Sequence, residues 1–428
     1  MLGNPKGAML SHKNFVSLVS CLEYSDVKIE EDEVYLSYLP LAHVFERILI
    51  TLCFYKAVKI GVYSGDVQKL KYDLEDLKPT AFASVPRLYN RFYDIIQGQI
   101  KNLTGFKRTL VDKAVDSKLY YLRTGAHYKH AIYDALVFHK MKQAFGGRVH
   151  IMVTGSAPIS SQVIDFLKIC CSCPILEGYG QTESTGASFL TVMNDPLSGH
   201  VGGPLSNTEF KLVDVSELGY TSKDKDPKTG EPLPRGEVCI RGPGVFQGYY
   251  KDEEKTKEAV DNDGWLHTGD IAQLNLNGSI KIIDRKKNIF KLAQGEYVAA
   301  EKIETIYNQS PCVEEIFIYG DSLQAYLVAI VLPKKKAVLQ FAEEKGKKGD
   351  FKELIKQKDV VDMVLEKMNA HAKKEKLFGF EMARKIVLID TPFLDLDLQT
   401  TSFKLKRHEA KKYFQAEINE MYAESMDK

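Results

Sequence analysis

Asp263-Gly-Trp-Leu-His-Thr-Gly-Asp-Ile271, continued by Ile282-Ile-Asp-Arg-Lys-Lys287 and Lys291-Leu-Ala-Gln-Gly-Glu-Tyr-Val298, is the stretch on which the reading of this chain turns. Asp270 follows a glycine on a turn, and a carboxylate so placed has two oxygens to accept both hydroxyls of a ribose. Arg285 supplies a second anchor for the same group. Trp265, the single tryptophan, reads as a core or boundary aromatic. His267 and His43 have no evident Asp, Ser or metal-ligand partner in the sequence and read as structural histidines. Around this stretch, short strand-like segments at 209–213, 237–241 and 279–283 are separated by Gly, Pro and Asp turns. That texture predicts a small antiparallel sheet or barrel.

Working upstream, β-rich segments at 34–39, 57–62, 81–85 and 149–154 alternate with longer helical patterns, including a nearly glycine-free stretch from 86 to 146. The alternation predicts an α/β fold. Downstream of Asp284 lies a unit long enough to fold alone, with strands expected at 313–319 and 326–332 and lysine-rich helix from 334 to 376. The 428 residues are 44% hydrophobic and 27% charged, which excludes a disordered chain. Lys+Arg 58 against Asp+Glu 57 gives no electrostatic reason to expect a nucleic-acid partner. Seven scattered cysteines indicate a reducing compartment; Cys170, Cys171 and Cys173 crowd together, but no second Cys or His pair sits at zinc spacing, and they read as small buried residues. The longest apolar run, 48–55, is too short to cross a membrane. The lysine runs at 334–336 and 345–348 read as solvated faces, with attraction to an anionic membrane surface as the alternative.

Four further clusters carry chemistry. Gly3-Asn-Pro-Lys6-Gly7 suits backbone approach to phosphate, with Lys6 supplying charge, but it lacks the Gly-Lys-Ser/Thr ending of a P-loop and alone reads as a turn. Thr154-Gly155-Ser156-Ala157-Pro158 ends a strand in small residues, with Pro158 placed to start a helix over 159–168. In Glu177-Gly178-Tyr179-Gly180-Gln181-Thr182-Glu183, two glycines let a flat ligand approach the backbone and stack on the ring. Thr182 and Glu183 offer a hydroxyl and a carboxylate to a hard cation such as Mg²⁺. Near the end, Thr400-Thr-Ser-Phe-Lys404-Leu-Lys-Arg407 is a basic loop that gains interest only from the company of the others.

In this order the clusters resemble the adenylate-forming (AMP-binding) superfamily, most nearly the eukaryotic long-chain acyl-CoA synthetases. Pro40-Leu-Ala-His-Val-Phe-Glu-Arg47 and Leu377-Phe-Gly-Phe-Glu381 look like that group as well. The resemblance implies an adenylation domain over 1–286 that lacks its N-terminal part, and a smaller mobile α+β domain over 287–428. It implies ATP-dependent activation of long-chain fatty acids to acyl-CoA through an acyl-adenylate, with ATP, Mg²⁺ and CoA as cosubstrates and cofactor.

Residue by residue, the resemblance implies catalysis by Lys404, Glu183, Thr182 and Lys6, with Glu183 also handling Mg²⁺. Gly155, Ser156, Ala157, Glu177, Gly178, Tyr179, Gly180, Asp270 and Arg285 would bind ATP or AMP. Lys287 matches a hinge, and Gln294, Gly295 and Glu296 would line the CoA path. Two departures stand out. Ala272 and Leu274 occupy places usually held by Gly and Trp, which bears on packing. The hydroxyl-rich Thr-Ser-Gly-Thr-Thr-Gly that normally precedes Asn-Pro-Lys-Gly is absent, because the sequence begins at Met1-Leu2. Ligases for other carboxylic acids, and an inactive paralogue that binds nucleotide, CoA or partners, are the competing expectations. By resemblance the location is intracellular, at the cytosolic face of the endoplasmic reticulum or another organelle membrane.

Overall fold

Parallel pairing organises the first half of the chain, as β-rich segments joined by helical crossovers require. The computed structural model describes residues 6–125, 127–226, 229–286, 288–400 and 403–423. Strands β1 (Val34–Ser37), β2 (Lys59–Val62), β3 (Ala81–Ser84), β4 (Ile151–Thr154) and β5 (Ile175–Tyr179) lie parallel in the order β2-β1-β3-β4-β5. The short strands β6 (Phe189–Leu190) and β7 (Gly203–Pro204) extend this sheet with antiparallel pairing.

Helices Val44–Tyr55, Pro86–Lys101 and Ser161–Cys171 begin for readable reasons. The His43 Nδ1 accepts the Phe45 N–H, Pro86 takes the first helical position, and the Ser160 hydroxyl accepts the Gln162 N–H. The expected start beside Pro158 is therefore corrected. Ser160 is the better cap, because its oxygen satisfies an N–H that proline cannot address.

A second sheet, ordered β11-β10-β9-β8, contains β8 (Glu209–Val213), β9 (Arg235–Arg241), β10 (Leu266–Leu274) and β11 (Ile280–Arg285). Ala272 is fully buried with Phe189, Val238, Ile240 and Ile280, and Leu274 packs at the edge of that cluster. Those two departures from the family pattern thus serve packing. All seven cysteines are buried and unbridged.

By contacts, Lys6–Thr268 with Ala272–Ile282 form one unit, and Gly269–Ile271 with the chain from Ile283 onward form another. The second unit holds a hairpin, β12 (Ile289–Lys291) and β13 (Tyr297–Ala299), and a sheet of β14 (Val313–Tyr319), β15 (Leu327–Pro333) and β16 (Ala383–Leu388). β14 and β15 are antiparallel, β15 and β16 parallel, and every residue of β15 is buried. One face of this sheet meets helices 335–344 and 358–374 through Val338, Met363, Val364 and Met368. The other face meets the C-terminal helices through Ala410, Phe414 and Ile418. Among the described residues no helix is long and apolar enough to cross a membrane.

Candidate active site

Adjacent parallel strands β4 and β5 run in register, Thr154 opposite Glu177, so their carboxyl ends open side by side. In open α/β sheets such ends form the crevice where nucleotides bind. The loop leaving β4 is Gly155-Ser156-Ala157. Its Ser156 holds φ +73°, a left-handed conformation uncommon for a side-chain-bearing residue. A Cβ on Gly155 would lie 3.2 Å from the Gly178 carbonyl oxygen, and one on Gly180 2.6 Å from the Gly186 carbonyl oxygen. At Gly180 only glycine lets the backbones approach so closely, and at Gly155 a side chain would press on the 178 backbone.

Past Gly180 the chain turns through a short 3₁₀ segment, Thr182–Ser184. The Ser184 hydroxyl accepts the Gln181 N–H at 3.0 Å, and the Gln181 amide donates to the Thr268 carbonyl at 2.8 Å. Thr182 is exposed and Glu183 half-buried. Tyr249 donates its hydroxyl to Glu183 Oε1 at 2.6 Å, and the Lys6 ammonium sits 4.5 Å from the centre of the Tyr249 ring. This trio is assembled by short β-like pairing of residues 7–9 with 247–250. Met9 N donates to the Gly248 carbonyl at 2.9 Å, and Tyr250 N to the Gly7 carbonyl at 2.7 Å. Asn14 and Thr185 clamp the 243–245 loop through bonds of 2.6 to 2.9 Å. Burial raises the Tyr249 phenol well above its ordinary range, and the bond to Glu183 adds to that, so it stays a donor. Tyr249 escaped the sequence reading, because nothing in Phe246-Gln-Gly-Tyr249 signals a partner so distant in sequence.

Glu177 differs from its neighbours. Its carboxylate is buried and accepts the Gly199 N–H at 3.0 Å, within reach of the charges of Lys168 and His200. Burial lifts it to about 7, against the opposing pull of that N–H, Lys168 and His200. Its N–H donates to Thr191 Oγ1 at 2.9 Å and its carbonyl accepts the Thr191 N–H at 3.1 Å, so both backbone and side chain are engaged inside the fold.

Asp270, almost wholly buried, accepts the Arg285 Nε–H at 2.7 Å, and the Lys286 N–H donates to the Gly269 carbonyl at 2.8 Å. The two expected ribose anchors are therefore one ion pair. His267, expected to stand without partners, has them: Cys239 Sγ lies 3.4 Å from Nδ1, and Asp261 Oδ2 lies 3.4 Å from Nε2. That corrects the expectation, since the partners come from a neighbouring strand and a turn.

In the second unit, Gln294-Gly295-Glu296 forms the tight turn between β12 and β13, with Gly295 at φ +97°. Gln294 donates to the Ala325 carbonyl at 3.0 Å, which ties the turn to the loop before β15. Lys404 lies on a tight hairpin. Its N–H donates to Thr400 Oγ1 at 3.0 Å, and its carbonyl accepts the Thr400 N–H at 2.9 Å. Lys406 with Asp397 (2.6 Å) and Arg407 with Glu304 secure the base of that hairpin. Lys287 lies outside the described residues.

Mg²⁺ is implied by the resemblance, and the donors fit it in kind. Glu183 has one oxygen committed to Tyr249, and its neighbour Thr182 exposes a hydroxyl. So sparse a set suits an ion that completes its shell with phosphate and water. Among the described residues no group of three His, Cys, Asp or Glu could hold a metal by itself.

A sheet-end crevice beside Gly155, Gly178 and Gly180, with Lys6 and Glu183 joined through Tyr249, is the arrangement of a nucleotide-binding α/β enzyme. Residues 3–250 match the AMP-binding enzyme family, and residues 287–426 match the AMP-binding enzyme C-terminal domain. The chain belongs to the AMP-binding enzyme family. It is 46% identical to human long-chain-fatty-acid–CoA ligase 1, over 98% of this chain and 59% of that protein. It is also 46% identical to peroxisomal long chain acyl-CoA synthetase 6 of Arabidopsis thaliana, over 99% of this chain and 59% of that one. The chain thus spans about three-fifths of the length of the curated relatives it matches. Among solved structures, the adenylation domain of a carboxylate reductase from Mycobacterium chelonae superposes with a TM-score of 0.78 at 28% identity, over 98% of this chain and 58% of that one. The A domain of carboxylic acid reductase from Segniliparus rugosus, in complex with AMP and a co-purified carboxylic acid, also gives 0.78, at 25% identity over 99% of this chain and 60% of that one.

Proposed function

We propose that the chain carries the adenylating and thioester-forming machinery of a long-chain fatty-acid–CoA ligase. The observation that carries this reading is the crevice at the ends of β4 and β5 with Lys6, Tyr249 and Glu183 at its rim, in a chain 46% identical to such ligases. In the first step the fatty carboxylate oxygen attacks the α-phosphorus of ATP. The bond to the α–β bridging oxygen breaks, and pyrophosphate leaves with its electron pair. An anion approaches a polyanion here, so neutralising charge is the main requirement. Lys6 would meet the phosphates, and Lys404 would bridge the carboxylate and α-phosphate oxygens. Bound Mg²⁺ would supply further neutralisation, held through Glu183 and Thr182.

Adenine would lie against Tyr179 and the backbone of 155–157 and 178–180, and Asp270, oriented by Arg285, would accept the ribose hydroxyls. In the second step the CoA thiolate attacks the acyl carbon, and AMP leaves. The turn at Gln294-Gly295-Glu296 would line the thiol's path, with Lys287 as hinge between the steps and 287–428 as the moving domain. No enzymic nucleophile is required, because AMP is itself a good leaving group. Since substrate acid and acyl product both partition into bilayers, the reading includes association with a membrane surface, at the endoplasmic reticulum or another organelle.

Acid-dependent ATP–pyrophosphate exchange tests the reading. Palmitate should support exchange and benzoate should not, and CoA should then draw the adenylate to thioester. Exchange with aryl acids alone would make this a ligase for other acids. Tight binding of an acyl-AMP analogue without exchange would make it an inactive nucleotide-binding chain.

A further inference from the structure

Between residues 101 and 148 the sequence carries ten Lys or Arg and three Asp or Glu, although the whole chain balances at +1. Seven of those basic residues and all three acidic ones fall on two helical runs of the first unit. One is the helix Gly105–Gly125. The other is the run from Ala131 through a π-helical turn at Asp134–Phe138 to Gln143. Both pack on helix Ser161–Cys171, and the buried ammonium of Lys118 joins all three. It donates to Asp134 Oδ1 at 2.5 Å, to the Ile169 carbonyl at 2.5 Å and to Ser172 Oγ at 2.9 Å. The sides of the two runs away from that helix are therefore their outward faces.

The long helix buries Val111, Ala114, Lys118 and Leu122, so Phe106, Lys113 and Tyr120, seven residues apart, share its opposite face. Phe106, Tyr120, Ile132 and Leu136 are between 61% and 81% exposed, far more than packing aromatics and aliphatics tolerate. Exposed among them are Lys113, Lys129 and Lys140, which form no ion pair among the described residues, with Asp116 exposed on the same helix face. Arg108 and Arg123, by contrast, are engaged by Asp112 and Asp165. Insertable apolar side chains interleaved with unneutralised lysines are the pattern of a surface that lies on anionic lipid.

We infer that this face, Phe106–Tyr120 together with Ile132–Lys140, docks on an anionic bilayer surface. The inference rests on the membrane association in the proposed function and names its site. The alternative basic region, the C-terminal lysine runs, is partly spent internally: Lys347 pairs with Asp359 at 2.6 Å, and Lys335 lies over the Phe351 ring.

Co-sedimentation of the full chain with vesicles tests this. Wild type should bind phosphatidylcholine vesicles carrying about one-third phosphatidylserine, weaken with salt, and bind pure phosphatidylcholine poorly. Each surface lysine is worth roughly fivefold in partitioning, so K113Q/K129Q/K140Q should lose about a hundredfold. F106S/L136S should lose binding to both vesicle types, whereas K336Q/K345Q/K348Q should bind as wild type. All variants alter exposed side chains, and unchanged melting temperatures and palmitate-dependent exchange in detergent would show them folded. Retained binding by the first triple, loss in the C-terminal triple, or no wild-type sedimentation overturns the assignment. None of these outcomes touches the exchange assay, which decides the proposed reaction separately.

Discussion

The Tyr249 hydroxyl donates to Glu183 Oε1 at 2.6 Å, with Lys6 over the face of the same ring at 4.5 Å. Tyrosine fixes one carboxylate oxygen, and on the proposed reading the other would meet the phosphate-bound cation. Tyr249→Phe removes the bond while keeping the ring beneath Lys6. A hydrogen bond to a charged group is worth about 1.5–3 kcal/mol. The variant should therefore need roughly tenfold more Mg²⁺ for half-maximal pyrophosphate exchange, with folding intact. An unchanged Mg²⁺ dependence would remove Tyr249 from the site.

Lys404 is held by a hairpin whose hydrogen bonds involve its backbone, so a shorter side chain leaves the scaffold in place. Removing one preorganised donor to a developing charge costs about 10²–10³ in rate. Lys404→Ala should lose that much in acid-dependent pyrophosphate exchange and retain thioester formation from supplied acyl-adenylate. Equal loss in both half-reactions, read separately by the two assays, would contradict a role confined to adenylation.

Strands and the fold class were legible because β-branched runs between Gly and Pro turns carry a local signal. The expected segments 209–213 and 313–319 coincide with β8 and β14. Side-chain partnerships were not legible. Cys239 and His267 stand 28 residues apart, and Tyr249 and Glu183 stand 66 apart. Strand pairing joins the first pair, the bonds of Phe246 N–H to the Glu183 carbonyl and of Thr185 to the Gly244 carbonyl join the second, and no spacing rule encodes those contacts. The role of Glu177 was obscured for a related reason. A motif names the residue but not which of its atoms faces the ligand, and here the carboxylate turns to the Gly199 N–H.

Glu304, buried, and Arg407, half-buried and distant in sequence, form an ion pair that also ties Ile318 through both its N–H and its carbonyl. Taking away one partner strands the other charge in the interior, a loss of about 3–5 kcal/mol. Glu304→Ala should lower the denaturation midpoint of the unit that carries Lys404. Pairing it with Arg407→Met should recover much of the loss. A single substitution with no effect on the urea midpoint would show the pair to be dispensable.

Glu177 offers the clearest pH signature. Burial raises its carboxyl from the usual range to about 7, so the folded chain holds a proton that the unfolded chain releases. Between roughly pH 4.5 and 7 the folded state binds more protons than the unfolded state, and stability therefore falls as pH rises through that window. A shift of this size amounts to about 3 kcal/mol. Glu177→Gln keeps an oxygen for the Gly199 N–H and has no proton to lose. The difference in melting temperature, variant minus wild type, should thus grow more positive from pH 5 to pH 8. A difference that stays flat, or falls, would mean that Glu177 remains ionised in the folded interior, held by Lys168 and His200 more strongly than burial opposes it.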